Sequence, residues 1–284
     1  MTFKTILACL SDVETAPAAL DMAFRFARAH DAHVEALHVR TDPAAAIPLV
    51  GEGMSGAMVE EMLAAAERQA GEIAAQVRGK FEQAVLDAGV RVNATPSFGE
   101  LTTSWSEQVG REEEVIADAA RLTDLVVMPR PHPGHDTPAL ITINAVLMES
   151  GRPLLLVPPS PPAEFGRNVA VFWNGSVEAS RAVAAALPIL TRAGKVTVLS
   201  AREEKAAVPA QLAAYLAWHG IEAATKTFSA GNHVPQTLMA EAAAVGADMA
   251  VMGAYTHSRL RQFILGGVTR HILENAEIPV LLCH

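Results

Sequence analysis

Apolar residues fall along this chain in two kinds of stretch, and the two alternate. Short apolar runs occupy 5–10 (after Thr5), 34–39 (mainly apolar, broken by Glu35 and His38), 125–128 and 153–157. They read as strands buried on both faces, because a strand with one wet face would alternate apolar and polar positions. Between the first two runs, Leu20, Ala23, Phe24 and Ala27 recur at helical spacing, which predicts a helix over 19–30. A long Ala-rich helix is expected over 58–88, stopped by Gly89. A strand over 90–98, a helix over 111–122 and a helix around 143–150 complete this half, with a Pro- and Gly-rich loop at 41–56.

Pro158, Pro159, Ser160, Pro161 and Pro162 then form a stiff, extended linker. Beyond it the same programme restarts. Residues 6–12 align with 169–175, 91–98 with 221–228, 124–128 with 248–252 and 152–157 with 278–283. Matched blocks in one order point to an internal duplication. Each copy reads β-α-β-α-β-α-β-α-β, which calls for a parallel sheet covered on both faces and joined by right-handed crossovers. The length also favours two domains. We place them at 1–157 and 167–284, with 158–166 between. The edge strands 153–157 and 278–283 are expected to pair, making the chain an internal pseudo-dimer and removing two open edges.

The richest chemistry lies in 248–269. A strand at 249–252 turns at Gly253 and crosses a polar loop holding Thr256, His257, Ser258 and Arg259. After an apolar run at 263–265 the chain passes Gly266 and Gly267 and enters a helix through Val268 and Thr269. A turn after a strand and a glycine pair at a helix start free backbone N–H groups to hold an anion. The other polar strand exit of this half is Asn174, Gly175 and Ser176. In the first copy the corresponding loop carries Pro129, Pro131 and Pro133, which remove N–H donors, so phosphate binding is expected to be lost there.

Charge sharpens this contrast. The chain has a net charge of −9, which argues against nucleic acid as a partner. Residues 1–162 hold 12 Lys+Arg against 22 Asp+Glu, net −10, whereas residues 163–284 hold 10 against 9, net +1. An anionic ligand is therefore better placed in the second copy. No apolar run reaches the length of a membrane span, and the start of the chain lacks a signal-peptide pattern. Cys9 and Cys283 lie in core strands and read as buried hydrophobes, with a reducing cytoplasm as the compartment.

With these residues in view, the chain resembles the universal stress protein family in its tandem two-domain form. Nucleotide-binding members carry Gly-x2-Gly-x9-Gly-(Ser/Thr) after the fourth strand and an Asp at the end of the first. Here the second copy reads Gly253-x2-Thr256-x9-Gly266-Gly267, with Asn174 in place of the Asp. The resemblance implies two Rossmann-like α/β domains of the adenine nucleotide alpha hydrolase type. Each would have a five-stranded parallel sheet of order 3-2-1-4-5 and a ligand crevice where that order reverses. It further implies a stress-response factor that binds ATP or a related adenine nucleotide, or another anion. The residues concerned would be Asn174, Gly175, Ser176, Gly253, Thr256, His257, Ser258, Arg259, Gly266, Gly267, Val268 and Thr269. At most slow ATP hydrolysis is implied. The alternative is an interaction module in which both degenerate loops serve packing or partner contact. Association into further homo-oligomers stays open.

Other constellations carry less. His132, His135 and Asp136 have the chemistry of metal ligands, but two histidines on a proline-broken loop are more often solvated, and no metal is assigned. His257 and His271 flank the glycine loop as surface residues. Trp105 and Trp173 read as packing residues. Glu112, Glu113 and Glu114 read as a solvated helix start matched to the dipole. The 58–88 helix lacks the basic face of a membrane-surface helix and is expected to pack. No phosphate-loop lysine motif, nucleophile elbow or zinc-protease motif is present, and no catalytic residue is assigned.

Overall fold

The computed structural model describes residues 3–42, 55–131, 138–202, 208–231, 233–255 and 267–284. The chain divides into two compact units. The first is built from Lys4–Val127 and the helical segment ending at Ser150. It contains β1 (Thr5–Cys9), α1 (Ala16–His30), β2 (His33–Thr41), α2 (Gly56–Ala88), β3 (Arg91–Val92), β4 (Thr102–Gly110), α3 (Glu112–Ala120), β5 (Leu125–Pro129) and α4 (Pro138–Ala145). The helix runs on as a wider turn through Val146–Ser150. The strands are parallel and ordered β3-β4-β2-β1-β5.

The second unit, centred on Gly151–His284, contains β6 (Leu154–Val157), β7 (Asn168–Phe172), α5 (Val177–Leu190), β8 (Lys195–Ala201), α6 (Pro209–Ala217), β9 (Ala223–Phe228), α7 (Val234–Ala244), β10 (Met249–Gly253), α8 (Gly267–Asn275) and β11 (Val280–Cys283). Its order is β9-β8-β7-β10-β11-β6. The first five are parallel and follow 3-2-1-4-5 within the copy, while β6 lies antiparallel to β11 with Leu155 opposite Leu281.

The apolar runs behave as expected of strands with two covered faces. Ile6 to Cys9, Leu125 to Met128, Val169 to Phe172 and Met249 to Met252 are all buried. Cys9 and Cys283 are buried free thiols. Two expectations fail. The third strand of the first copy is not 90–98. Only Arg91 and Val92 pair there, and the chain then turns, with Asn93 Oδ1 accepting the Thr95 N–H at 3.0 Å and Gly99 at φ 79°. The working strand is β4, paired with β2 over nine residues. It escaped the hydrophobic pattern because its buried inner positions are threonines. Thr103 Oγ1 donates to the Val34 carbonyl at 2.8 Å, and Thr102 Oγ1 meets His33 Nδ1 at 2.8 Å. The second exception is α2. Only Ala74, Val77 and Phe81 are buried on it, so its first half does not pack as the sequence led us to expect.

The duplicated aspartates have a shared structural job. Asp124 Oδ2 accepts the N–H groups of Lys4 and Thr5 at 2.7 and 3.0 Å, at the start of β1. Asp248 does the same for Arg167 and Asn168 at 3.1 and 3.0 Å, at the start of β7. Each carboxylate clamps the entrance of the strand beside its own. Replacing Asp124 or Asp248 with Ala should cost about 1–2 kcal/mol each, the loss of charge-assisted hydrogen bonds at a half-exposed site, read as a lowered urea midpoint.

Candidate functional site

The strand order of the second unit reverses between β7 and β10, and the crevice beyond their carboxyl ends is the place where open α/β sheets receive ligands. After β7 the backbone is held tightly. The Trp173 N–H donates to the Leu199 carbonyl at 2.9 Å, and the Trp173 carbonyl accepts from Ser200 Oγ at 2.8 Å. Asn174 Oδ1 accepts the Ser176 N–H at 3.1 Å, and Gly175 takes the left-handed conformation at φ 76°. Ser176 Oγ then accepts the Ala179 N–H at 3.1 Å. The triplet is thus the N-terminal cap of α5, with one acceptor for one orphan donor of the first turn.

Gly253 has a different role from the one expected. It ends β10 rather than making a turn. A Cβ there would lie 2.4 Å from the Ala179 nitrogen and 2.6 Å from the Glu178 carbonyl carbon. The glycine exists so that the first turn of α5 can lie against the strand end. The turn comes later, at Tyr255, which is left-handed at φ 64° and buried. Its N–H donates to the buried Thr269 Oγ1 at 3.1 Å, fastening the strand exit to the first turn of α8. The Ala254 N–H donates to the Cys283 carbonyl at 2.7 Å. Burial pushes the Cys283 thiol up to about 12, with Arg181 opposing the rise, and raises the Tyr255 phenol.

These contacts draw three pieces of the expected site together: the 174–176 cap, the 253–255 strand exit and the 267–269 helix start. Gly267 opens α8 in an exposed position, and a Cβ there would meet nothing within 4 Å among the described residues. Val268 is half-buried. Thr256, His257, Ser258, Arg259 and Gly266 lie outside the described residues. So do His132, His135 and Asp136. Among the described residues no group of three His, Cys, Asp or Glu side chains is placed to hold a metal.

The first unit also holds polar residues at its own strand exits. Asp12 Oδ1 accepts the Glu14 and Thr15 N–H groups, both at 2.8 Å, and holds the turn that leads into α1. Glu112 is not a solvated helix start. Its Oε1 accepts from Ser11 Oγ and its Oε2 from Thr142 Oγ1 at 3.3 Å. Burial raises the Glu112 carboxyl, opposed by the two hydroxyl bonds and by the nearby His38. Burial also raises the Cys9 thiol, with the Glu112 and Glu35 charges adding to it. His38 is buried and donates from Nδ1 to the Leu10 carbonyl at 2.6 Å. Trp105 packs against Phe81 with ring centres 5.4 Å apart. Neither the Trp105 nor the Trp173 indole N–H finds an acceptor among the described residues.

The sequence pattern of the universal stress protein family matches residues 2–158 and 193–284. This chain belongs to that family. Among solved structures, a universal stress protein from Archaeoglobus fulgidus DSM 4304 superposes with a TM-score of 0.69 at 17% identity, covering 98% of this chain and 97% of that one. A functionally unknown protein from Pseudomonas aeruginosa PAO1 reaches 0.56 at 15% identity, over 99% and 92% of the two chains. At such identities the likeness speaks for the fold. No curated protein sequence matches. Among the described residues no helix of this stress protein is long and apolar enough to cross a membrane.

Gly253→Ala places a methyl group inside a backbone contact. It should cost about 3 kcal/mol, the upper end of overpacking, measurable as a lowered thermal midpoint. For Glu112 the sign runs the other way from a salt-bridged acid. Its folded carboxyl is raised, so the native state favours the proton, and stability present at low pH is lost as pH rises through the folded value. Relative to Glu112→Gln, the wild type should therefore lose stability between about pH 4 and the titration of the folded carboxyl, and stay level above it. Urea unfolding of both proteins across that range measures the difference.

Proposed function

We propose that this universal stress protein is a cytoplasmic, stress-responsive binding protein rather than an enzyme. Its second unit would take an adenine nucleotide such as ATP, or another anion, at the crevice formed by 174–176, 253–255 and the start of α8. The observation that carries this reading is the open helix start at Gly267, set beside the exits of β7 and β10 where the strand order reverses. First-turn N–H groups of a helix have no partners within the helix, and its dipole favours an anion there. The second half also lacks the negative charge of the first. Within the second unit β6 pairs β11, as expected of 153–157 and 278–283.

A second reading has its own support. Asn174 and Thr269, two of the side chains expected at a nucleotide, already serve Ser176 and Tyr255. If those contacts are the whole purpose of the residues, the unit is an interaction module without a nucleotide. Equilibrium dialysis against ATP, ADP and AMP separates the two. The nucleotide reading expects saturable binding, weakened about tenfold in Gly267→Val, a change worth about 1.4 kcal/mol. Among the described residues that side chain would meet no neighbour, so the fold should survive it. Absence of saturable binding, or a variant that binds as the wild type does, leaves the interaction module.

A further inference from the structure

The sheet of the second unit ends at β9, and no described strand lies beyond it. The Phe228 carbonyl accepts the Arg202 N–H at 2.8 Å, so Phe228 turns its polar backbone groups toward the β8 side. Backbone direction alternates along a strand, and Lys226 and Ala224 therefore turn the same way. Ala223, Thr225 and Thr227 turn theirs outward, to the open edge. Edge strands are commonly guarded by a proline, a bulge or a lysine on the edge. β9 pairs with β8 over six residues in unbroken register and holds no proline. Its one lysine, Lys226, is drawn to Glu241 on α7, over one face of the sheet. Right-handed crossovers put α6 on the opposite face. Buried Leu212 and Leu216 seat that helix, while Tyr215 and Trp218 are 43% and 90% exposed. Trp218 closes α6 just before the chain enters β9.

A second copy of β9 fits this edge. Laid antiparallel with Ala224 opposite its own counterpart, the outward groups of Ala223 meet those of the partner's Thr225, and the reverse, as the hydrogen-bonded pairs of a ladder. The same register sets Glu222 against the partner's Lys226, twice by symmetry. These are positions without backbone hydrogen bonds, where opposed side chains come closest. Residues four apart on a strand share a face, so the partner's Glu222 reaches the Lys226 ammonium from the side where Glu241 already holds it. A slip of one residue would oppose outward groups to inward ones. A slip of two keeps the ladder but parts the charges. We propose that β9 is the seam of a two-fold homodimer, with its register fixed by Glu222 and Lys226. The exposed aromatics of α6 then flank the seam, where such residues carry much of the energy of an interface. A two-fold contact closes on itself, so association stops at two chains. None of this depends on what the crevice of the second unit holds.

Sedimentation velocity of the full chain over a concentration series tests this. A dimer with a dissociation constant of about 10 μM or tighter is expected, the strength of a small interface. Thr225→Pro removes an outward N–H at an edge, where proline is tolerated, and should leave a folded monomer by circular dichroism. Glu222→Lys, on an exposed side chain, sets like charges across the seam and should weaken association about tenfold. Trp218→Ser should weaken it as well. If Thr225→Pro does not fold, Glu222→Lys decides. A wild type that stays monomeric at about 100 μM, ten times the expected constant, overturns the proposal. So does a dimer that folded Thr225→Pro or Glu222→Lys leaves as tight as before, or assembly that grows beyond two chains.

Discussion

Parallel strands covered on both faces leave almost no place for a polar side chain along their length. In β1, β5, β7 and β10 the residues between entry and exit are apolar and buried. An unpaired polar group there would cost several kcal/mol of lost hydration. Polar chemistry is therefore pushed to the strand ends, and both units use those ends in the same way. At the entrances, Asp124 and Asp248 gather backbone N–H groups. At the exits, Asp12 holds the turn into the helix that follows β1, and Ser176 caps the helix that follows β7.

The same scaffold supports two different exits. The carbonyl after β1 is held by the His38 ring, and the equivalent carbonyl after β7 by the Ser200 hydroxyl. Around His38 the first unit assembles a carboxylate and two hydroxyls. In the second unit the polar side chains described at this exit are Asn174, Ser176 and Ser200, and the start of α8 is exposed. Each buried threonine at the start of the final helix shows the divergence in one residue. Thr142 gives its hydrogen to Glu112, whereas Thr269 accepts the Tyr255 N–H. Duplication copied the sheet, and the exits then changed independently, because loop residues bear little of the packing energy.

Arg130 shows how far this reassignment goes. It stands where the first copy would have begun an anion loop, yet its backbone N–H donates to the Val157 carbonyl at 2.7 Å and its guanidinium donates to the Glu274 carbonyl at the end of α8. A cation at a helix C-terminus offsets the dipole there. At this loop position the side chain holds the end of α8 instead of facing an anion.

Hydrophobic runs by themselves determined the strands, the alternation with helices, the duplication and the parallel sheet, because burial on two faces demands continuous apolar sequence. Gly253 and the Asn174 exit stood out in the sequence because glycine and polar residues contrast with such runs. Strand β4 was not legible, since threonines satisfied by His33 and Val34 pack where an apolar residue would otherwise be needed. Nor was the purpose of Gly253, which depends on a helix that begins over seventy residues earlier in the chain. Glu112 was the hardest of all. Its partners Ser11 and Thr142 lie 101 and 30 positions away, and no local pattern marks a side chain whose surroundings exist only once the sheet has closed over it. Periodicity records which faces are dry. Which polar groups share a site is decided by the packing that brings distant strand exits together.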